Sequence, residues 1–202
     1  MSFQEVRYRP VFGRALAVVT VVVCALGVVA LFWSEPATAW RYVWPVLLVA
    51  VLAWALFWRP SLTVEAHGVT VENVLRTHFV PWPSIVAIDT RYSLTLQTTR
   101  GRVPVWAAPA PSRHRTLGLA PKDFDGVGPT ARGSVGELRP ADALTTPSGN
   151  LAQLIRGHWE HLRDAGAFTS GVDPEAATVT WHWATVAVVM ALAMATAIGL
   201  LV

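Results

Sequence analysis

Hydrophobic and polar residues alternate with a period of two in only one part of this chain, residues 62–106. Alternation of this kind, with β-branched and aromatic residues in the runs and glycine in the turns, is typical of half-buried antiparallel strands joined by hairpins. We therefore expect a small β-module over residues 59–107, with four or five strands. Prolines interrupt residues 79–88, which predicts a strand end, an irregular corner and a return into the next strand. The alternating runs are residues 62–66, 69–72, 92–97 and 102–106.

Two uncharged apolar runs precede the β-module, and a third ends the chain. Residues 15–33, 42–58 and 179–202 are each long enough, at about 1.5 Å per helical residue, to cross most of a ~30 Å hydrocarbon layer. We expect the first two to form a transmembrane hairpin over residues 15–58 and the last to form a third transmembrane helix. The predicted fold class is therefore membrane α + β, with three transmembrane helices, a small antiparallel β-module and one amphipathic helix.

The distribution of arginine predicts the orientation of these spans. Three arginines precede the first span and Arg59 follows the second, whereas the connector between the spans carries one arginine beside one glutamate. Positive residues favour the cytoplasmic side. We therefore expect residues 1–14 to be a cytoplasmic tail and the β-module to be cytoplasmic. The C-terminus of this multi-pass cell-membrane protein then lies outside.

A cleavable signal peptide is the alternative interpretation of the N-terminal part. Ala37-Thr38-Ala39 follows a basic start and an apolar run, as a cleavage site does. The apolar run is longer than the 7–15 residues typical of a signal peptide, however, and a second span begins three residues after the site. Cleavage is therefore the disfavoured alternative.

Two further segments connect the β-module to the last span. Residues 108–147 are rich in proline and glycine and have little apolar surface, which predicts a flexible loop. Residues 148–166 predict an amphipathic helix of about four turns, with Ser148 as its N-cap and Gly166 at its end. Its apolar stripe is expected to lie against the β-module, and it comprises Leu151, Leu154, Ile155, Trp159 and Leu162.

Two sets of residues are candidates for contacts with other molecules. Arginines at strand ends and in the following loop can reach anionic headgroups or a partner, although solvated strand-end charges would look the same. In the third span, small residues recur every four positions, which allows another helix to approach closely. The candidate headgroup or partner contacts are Arg76, Arg91, Arg100, Arg102, Arg113 and Arg115, and the candidate helix-packing face is Ala187, Ala191, Ala195 and Gly199.

The composition argues against several classes of function. The chain has 202 residues, of which 53% are hydrophobic and only 14% charged, and its 16 basic residues are scattered among 13 acidic ones. This gives no basic surface for nucleic acid. The predicted spans contain no Asp, Glu, Lys or Arg, which disfavours ion or proton transport.

No motif of catalysis or metal binding is present in the sequence. GxSxG, P-loop and HExxH patterns are absent. His158 and His161 lie three residues apart around Glu160, but no third ligand is evident, and two histidines on a solvated helix face are common. We therefore expect a protein that is not an enzyme and has no metal and no cofactor.

The β-module resembles a known family. Its matching features are the strand–His-Gly–strand hairpin at 63–72, the Leu75-Arg76-Thr77 turn, the Val80-Pro81-Trp82 step before the apolar return at 85–88, and the closing strand at 102–106. They resemble the PH-domain-containing integral membrane proteins of high-GC Gram-positive bacteria, in which a short pleckstrin-homology-like module follows a transmembrane hairpin. The resemblance implies a fold of seven strands with a C-terminal capping helix, used for binding and without chemistry of its own.

These observations predict a non-catalytic scaffold or binding protein. The PH-like module would bind lipid headgroups or a protein partner at the cytoplasmic face. The alternative is an accessory or assembly subunit of a larger membrane enzyme complex, docked through the third transmembrane helix. The expected partners are therefore membrane lipid and a membrane protein complex or a second copy of the chain, and no nucleic acid.

Overall fold

The chain divides into two compact units, each built from separate parts of the sequence. The computed structural model describes residues 5–90, 93–109, 123, 143, 145–166 and 177–201. The module unit comprises Met1–Tyr8, Ser61–Glu72 and His78–Val179, and the helical unit comprises Arg9–Pro60, Asn73–Thr77 and Thr180–Val202.

Four α-helices lie in the described residues, and three of them are long and apolar enough to cross a membrane. The first span starts earlier than predicted because Arg14 lies in the first turn of its helix. The second span starts at Pro36, since proline is tolerated in a first helical turn, and it ends in a π-helical turn at Trp54–Trp58. The helices are α1 (Val11–Ser34), α2 (Pro36–Ala53), α3 (Pro147–Asp164) and α4 (Trp183–Leu201).

In the helical unit, α2 packs against both α1 and α4. A Cβ atom at Gly199 would lie 3.2 Å from the carbonyl oxygen of Arg41 and 3.4 Å from a ring carbon of Trp44, so this glycine allows α4 to approach α2 closely. The predicted small-residue face is only partly used by this contact. Ala195 is half-buried, but Ala187 and Ala191 are exposed. A four-residue step rotates by about 40° around a helix, so the line of small residues turns away from α2. A role of these two alanines in docking stays a prediction.

Eight strands lie in the described residues, and six of them fall between residues 61 and 109, more than the four or five expected. The difference arises at residues 79–88. The proline-rich corner there is a single 3₁₀ turn, Trp82–Ser84, and a full strand lies on each side of it. The strands are β1 (Val6–Tyr8), β2 (Ser61–Val64), β3 (Gly68–Glu72), β4 (Arg76–Pro81), β5 (Ile85–Asp89), β6 (Ser93–Thr98), β7 (Gly101–Pro109) and β8 (Thr178–Trp181).

The strands form two sheets, with the orders β1-β2-β3-β4-β8 and β5-β6-β7. The expectation that residues 1–14 form only a tail is wrong, because β1 pairs antiparallel with β2 and Tyr8 lies opposite Leu62. Three residues are too few to show a period of two, so the sequence pattern does not reveal this strand. Arg7 also forms an ion pair with Glu72 at 3.4 Å. In chain order, β1 leads directly into α1, and β2 follows the second span.

The core of the module unit lies between the two sheets and α3. Trp82, Leu62, Leu94 and Leu96 are the largest of its fully buried side chains. As expected, the apolar stripe of α3 closes this core: Leu151, Ala152 and Ile155 are buried, and Leu154, Trp159 and Leu162 lie at its edge.

The start of α3 differs from the prediction by two residues. Thr146 is the N-cap rather than Ser148, and its hydroxyl oxygen accepts a hydrogen bond from the backbone N–H of Gly149 at 3.1 Å. Pro147 then fills the first helical position, where its missing N–H has no cost. The helix ends before Gly166, which has a φ of +70°. Apart from a few residues, the segment predicted as a loop, 108–147, lies outside the described residues.

Candidate functional site

A groove of about 250 Å³ lies between β5 and α3 in the module unit. Four consecutive residues of β5 form one wall, and four residues of α3 form the other. The helical residues are spaced i, i+3, i+4 and i+7, so they share one face of α3. The lining residues are Ile85, Val86, Ala87, Ile88, Arg156, Trp159, Glu160 and Arg163.

The strand wall is the outer strand of its sheet. In the order β5-β6-β7 of the described strands, β5 stands at the end and pairs with β6 on its inner side. Its register with β6 shifts between Ile85 and Ala87, so Val86 is an extra residue in a β-bulge. A bulge redirects a side chain and often occurs beside a functional site. Val86 is 55% exposed, a high fraction for a β-branched residue in a strand.

The helical wall carries two arginines in different environments. Arg156 is only 6% exposed, and its guanidinium donates a hydrogen bond to the carbonyl oxygen of Ile88 at 3.0 Å. This contact ties α3 to the outer edge of β5 and covers part of that edge. Arg163 is exposed; its guanidinium carbon lies 5.2 Å from the centre of the Trp159 ring, and it also pairs with Asp164 at 3.2 Å. The groove therefore combines an apolar floor with two cations.

The size and chemistry of the groove favour binding over catalysis. A volume of about 250 Å³ is below the ~300–1,000 Å³ of typical small-molecule pockets, so the groove has room for one or two side chains. Its charged residues are two arginines and Glu160. An apolar side chain would contact Val86 and Trp159, and a carboxylate would complement the excess of positive charge.

Of the six predicted arginines, the structure describes three, one in the helical unit and two in the module unit. Arg76 lies in the helical unit, where its guanidinium carbon is 4.2 Å from the centre of the Trp181 ring. In the module unit, Arg100 donates to the carbonyl oxygen of Ala177 at 3.0 Å, and Arg102 is exposed on the same β6–β7 hairpin. Arg91, Arg113 and Arg115 lie outside the described residues.

The groove residues themselves are absent from the sequence-based set of candidates. Arg156 and Arg163 flank Trp159 on α3, but a helix face with alternating charges normally indicates exposure to solvent. Arg156 follows Ile155 of the apolar stripe, but its burial depends on a contact with β5 that the sequence does not show. Nothing in the sequence marks Val86 as a groove residue, because its exposure depends on a bulge.

His158 lies beside the groove, on the core side of α3. Its ring makes an edge contact with the Trp82 ring, with centroids 4.8 Å apart. Burial, and secondarily the charge of neighbouring His161, lowers the pKa of His158 below its usual 6.5. Folding therefore favours the neutral imidazole.

We expect the stability of the module unit to fall as the pH decreases below about 6.5. A histidine whose pKa is lower in the folded state binds more protons when the chain is unfolded, so stability is full at higher pH and decreases through this range. His158→Gln should flatten the dependence of the melting temperature on pH between 7.5 and 5.5. His67→Gln is the control, since His67 is exposed. A slope that His67→Gln flattens equally would contradict the assignment to His158.

In the described residues, the module unit has two sheets whose core is closed by α3, and the helical unit has three helices that are long and apolar enough to span a membrane. Residues 59–141 match the family model described as a bacterial PH domain. This match confirms the resemblance predicted from the sequence, and it extends beyond residue 107, where the module was expected to end. PH domains are in general non-catalytic binding modules that commonly bind lipids or proteins. Neither the curated proteins nor the solved structures contain a match.

Proposed function

We propose that this protein is a non-catalytic, membrane-anchored binding protein whose β5–α3 groove binds an extended segment of a protein partner. The segment carries an apolar side chain and a nearby carboxylate. The module acts at the cytoplasmic face, in keeping with the excess of arginine on the flanks of the first two spans. The observation that carries the proposal is the exposed Val86, in the bulge of an outer strand, opposite the Trp159–Arg163 face of α3.

Three features support a protein segment over a membrane surface as the ligand of the groove. The outer edge of β5 has backbone groups that an extended chain can pair with, as in other cases of strand addition. The groove is mainly apolar, and its cations flank an aromatic ring rather than forming a cluster. A cluster of four to eight basic residues is the usual arrangement for headgroup binding. The lipid contacts predicted for Arg76 and Arg102 remain separate predictions.

Site-specific photo-crosslinking in native membranes tests this function. A photoreactive phenylalanine analogue at position 86 of the full-length chain should give a discrete crosslinked protein, whereas the same analogue at exposed Thr99 should not. Adding Arg163→Glu should reduce the crosslink from position 86 at least fivefold, because the substitution places a carboxylate opposite the partner's carboxylate. The crosslinked partner peptide should contain an acidic residue.

Two results would contradict the proposal. Crosslinking from position 86 only to lipid would assign the groove to the membrane. Equal crosslinking from positions 86 and 99 would indicate a surface without a preferred groove. As a matched control, Arg139→Glu makes the same change of charge at a position that is not a candidate contact and should leave the crosslink unchanged.

The alternative, an accessory subunit docked through α4, has one supporting observation. Ala187 and Ala191 are exposed on α4, and small residues at this spacing would allow another helix to approach closely. Docking of this kind is compatible with a groove that binds a protein segment, because the two surfaces lie on different elements.

A further inference from the structure

Three arginines lie at one end of the helical unit, at the membrane face where the chain enters α1 and leaves α2. Arg9 follows β1, Arg14 lies in the first turn of α1, and Arg59 follows the π turn that ends the second span. A Cβ atom at Gly13 would lie 3.1 Å from the carbonyl oxygen of Phe57 and 3.7 Å from the Pro10 ring, so the start of α1 lies against the end of the second span. The group formed by Arg9, Arg14 and Arg59 is called the arginine cluster below.

Contacts with tryptophan and threonine hold two of these arginines against the helices. The guanidinium carbon of Arg14 lies 4.3 Å from the centre of the Trp58 ring. Arg59 donates a hydrogen bond to the hydroxyl of Thr185 in α4, and its guanidinium carbon is 5.6 Å from the centre of the Trp54 ring. Because a π turn accommodates an extra residue, it changes the direction in which Arg59 leaves the helix. The cluster thus connects all three membrane helices.

The arginine cluster has no anionic partner within the part of the chain that the structure describes. Ion pairs there involve Arg7 and Arg163, and none involves a residue of the cluster. The Nε atoms of Arg9 and Arg14 are buried and have no hydrogen-bond partner among the described residues. An arginine that is partly removed from water without an anion is costly.

The position of the arginine cluster indicates which kind of anion would suit it. The cluster lies at one end of the three apolar helices. Trp54 and Trp58 lie beside it, and tryptophan side chains prefer the level of the lipid headgroups. Arginine binds phosphate oxygens through two parallel hydrogen bonds. Basic pockets between membrane helices bind anionic headgroups. We propose that the arginine cluster is a binding site for the phosphate of an anionic phospholipid. This inference is independent of the β5–α3 groove.

Native mass spectrometry of the full-length chain, released from detergent with defined lipids, tests the site. Wild-type protein should retain phosphatidylglycerol in preference to phosphatidylcholine. Replacing all three arginines, Arg9→Gln with Arg14→Gln and Arg59→Gln, should lower the affinity for phosphatidylglycerol by about 100-fold, since each cation near a headgroup contributes ~1 kcal/mol. The matched control is Lys122→Gln with Arg132→Gln and Arg139→Gln, which makes the same change of charge at three positions that are not candidate contacts and should retain the lipid.

A second set of variants and a competitor keep the proposal testable if the first variant does not fold. Replacing the cluster by three lysines keeps the charge but loses the paired hydrogen bonds, so binding should be weaker than wild type and stronger than with glutamine. Inorganic phosphate at 10 mM should not displace the lipid. Displacement would show a site for a soluble anion, and phosphatidylglycerol binding that survives both sets of substitutions would overturn the assignment to these arginines.

Discussion

Trp82→Ala is expected to destabilise the module unit by about 4 kcal/mol, the largest effect of any single substitution considered for this protein. Trp82 is 2% exposed in the core between the sheets and α3. Its indole N–H donates to the carbonyl oxygens of Glu65 and Ala66, both at 3.1 Å. Removing the indole therefore leaves a large cavity and takes away the donor that these two carbonyl groups share.

Hydrogen exchange of the full-length chain in detergent measures this effect. Slowly exchanging amides at Leu94 and Leu96, in the middle of β6, should exchange roughly a thousandfold faster in Trp82→Ala. The control is Trp106→Ala, since Trp106 is 55% exposed on β7 and should lose about 1 kcal/mol or less. A similar decrease in the free energy of unfolding for both variants would mean that Trp82 is not a central part of the core.

The sequence predicts the membrane helices and the capping helix well because their apolar residues recur over long runs. The first span differs at its start by four residues, and α3 begins at Pro147 instead of Ser148. Both differences lie at helix ends, where a cap or a proline decides the boundary rather than hydrophobicity. The strands are predicted wherever alternation is clean, as in β2, β3, β6 and β7.

Features that depend on contacts distant in sequence were not predictable. β1 has three residues and pairs with a strand more than fifty positions later, so no local pattern marks it. The exposure of Val86 depends on a bulge, and the burial of Arg156 depends on its bond to Ile88. The positions of the arginines along the chain predict the orientation of the membrane spans. Their grouping at one end of the helices, however, requires α1, α2 and α4 to be packed together. Local periodicity thus predicts elements, whereas both binding sites arise from packing between elements.

Gly68→Ala is expected to destabilise the module unit by about 3 kcal/mol, although the change adds only one methyl group. Gly68 begins β3, and a Cβ atom there would lie 2.5 Å from the carbonyl oxygen of Val80 and 2.9 Å from the Cα of Pro81. Both neighbours are backbone atoms, so the end of β4 would have to move. That movement would also break the bond from the Trp82 backbone N–H to the carbonyl oxygen of His67, which is 3.4 Å long.

The matched control for this substitution is Gly157→Ala, where a Cβ atom meets nothing within 4 Å. Gly157 lies inside α3, so alanine should stabilise the unit by about 1 kcal/mol through helix propensity. Urea-dependent proteolysis of the full-length chain should show a lower free energy of unfolding for Gly68→Ala and a higher one for Gly157→Ala. Since Gly68 and Trp82 secure the same turn, the double variant Gly68→Ala with Trp82→Ala should lose less than the sum of the single losses. Additive losses would show that the close approach at Gly68 is independent of the Trp82 contacts.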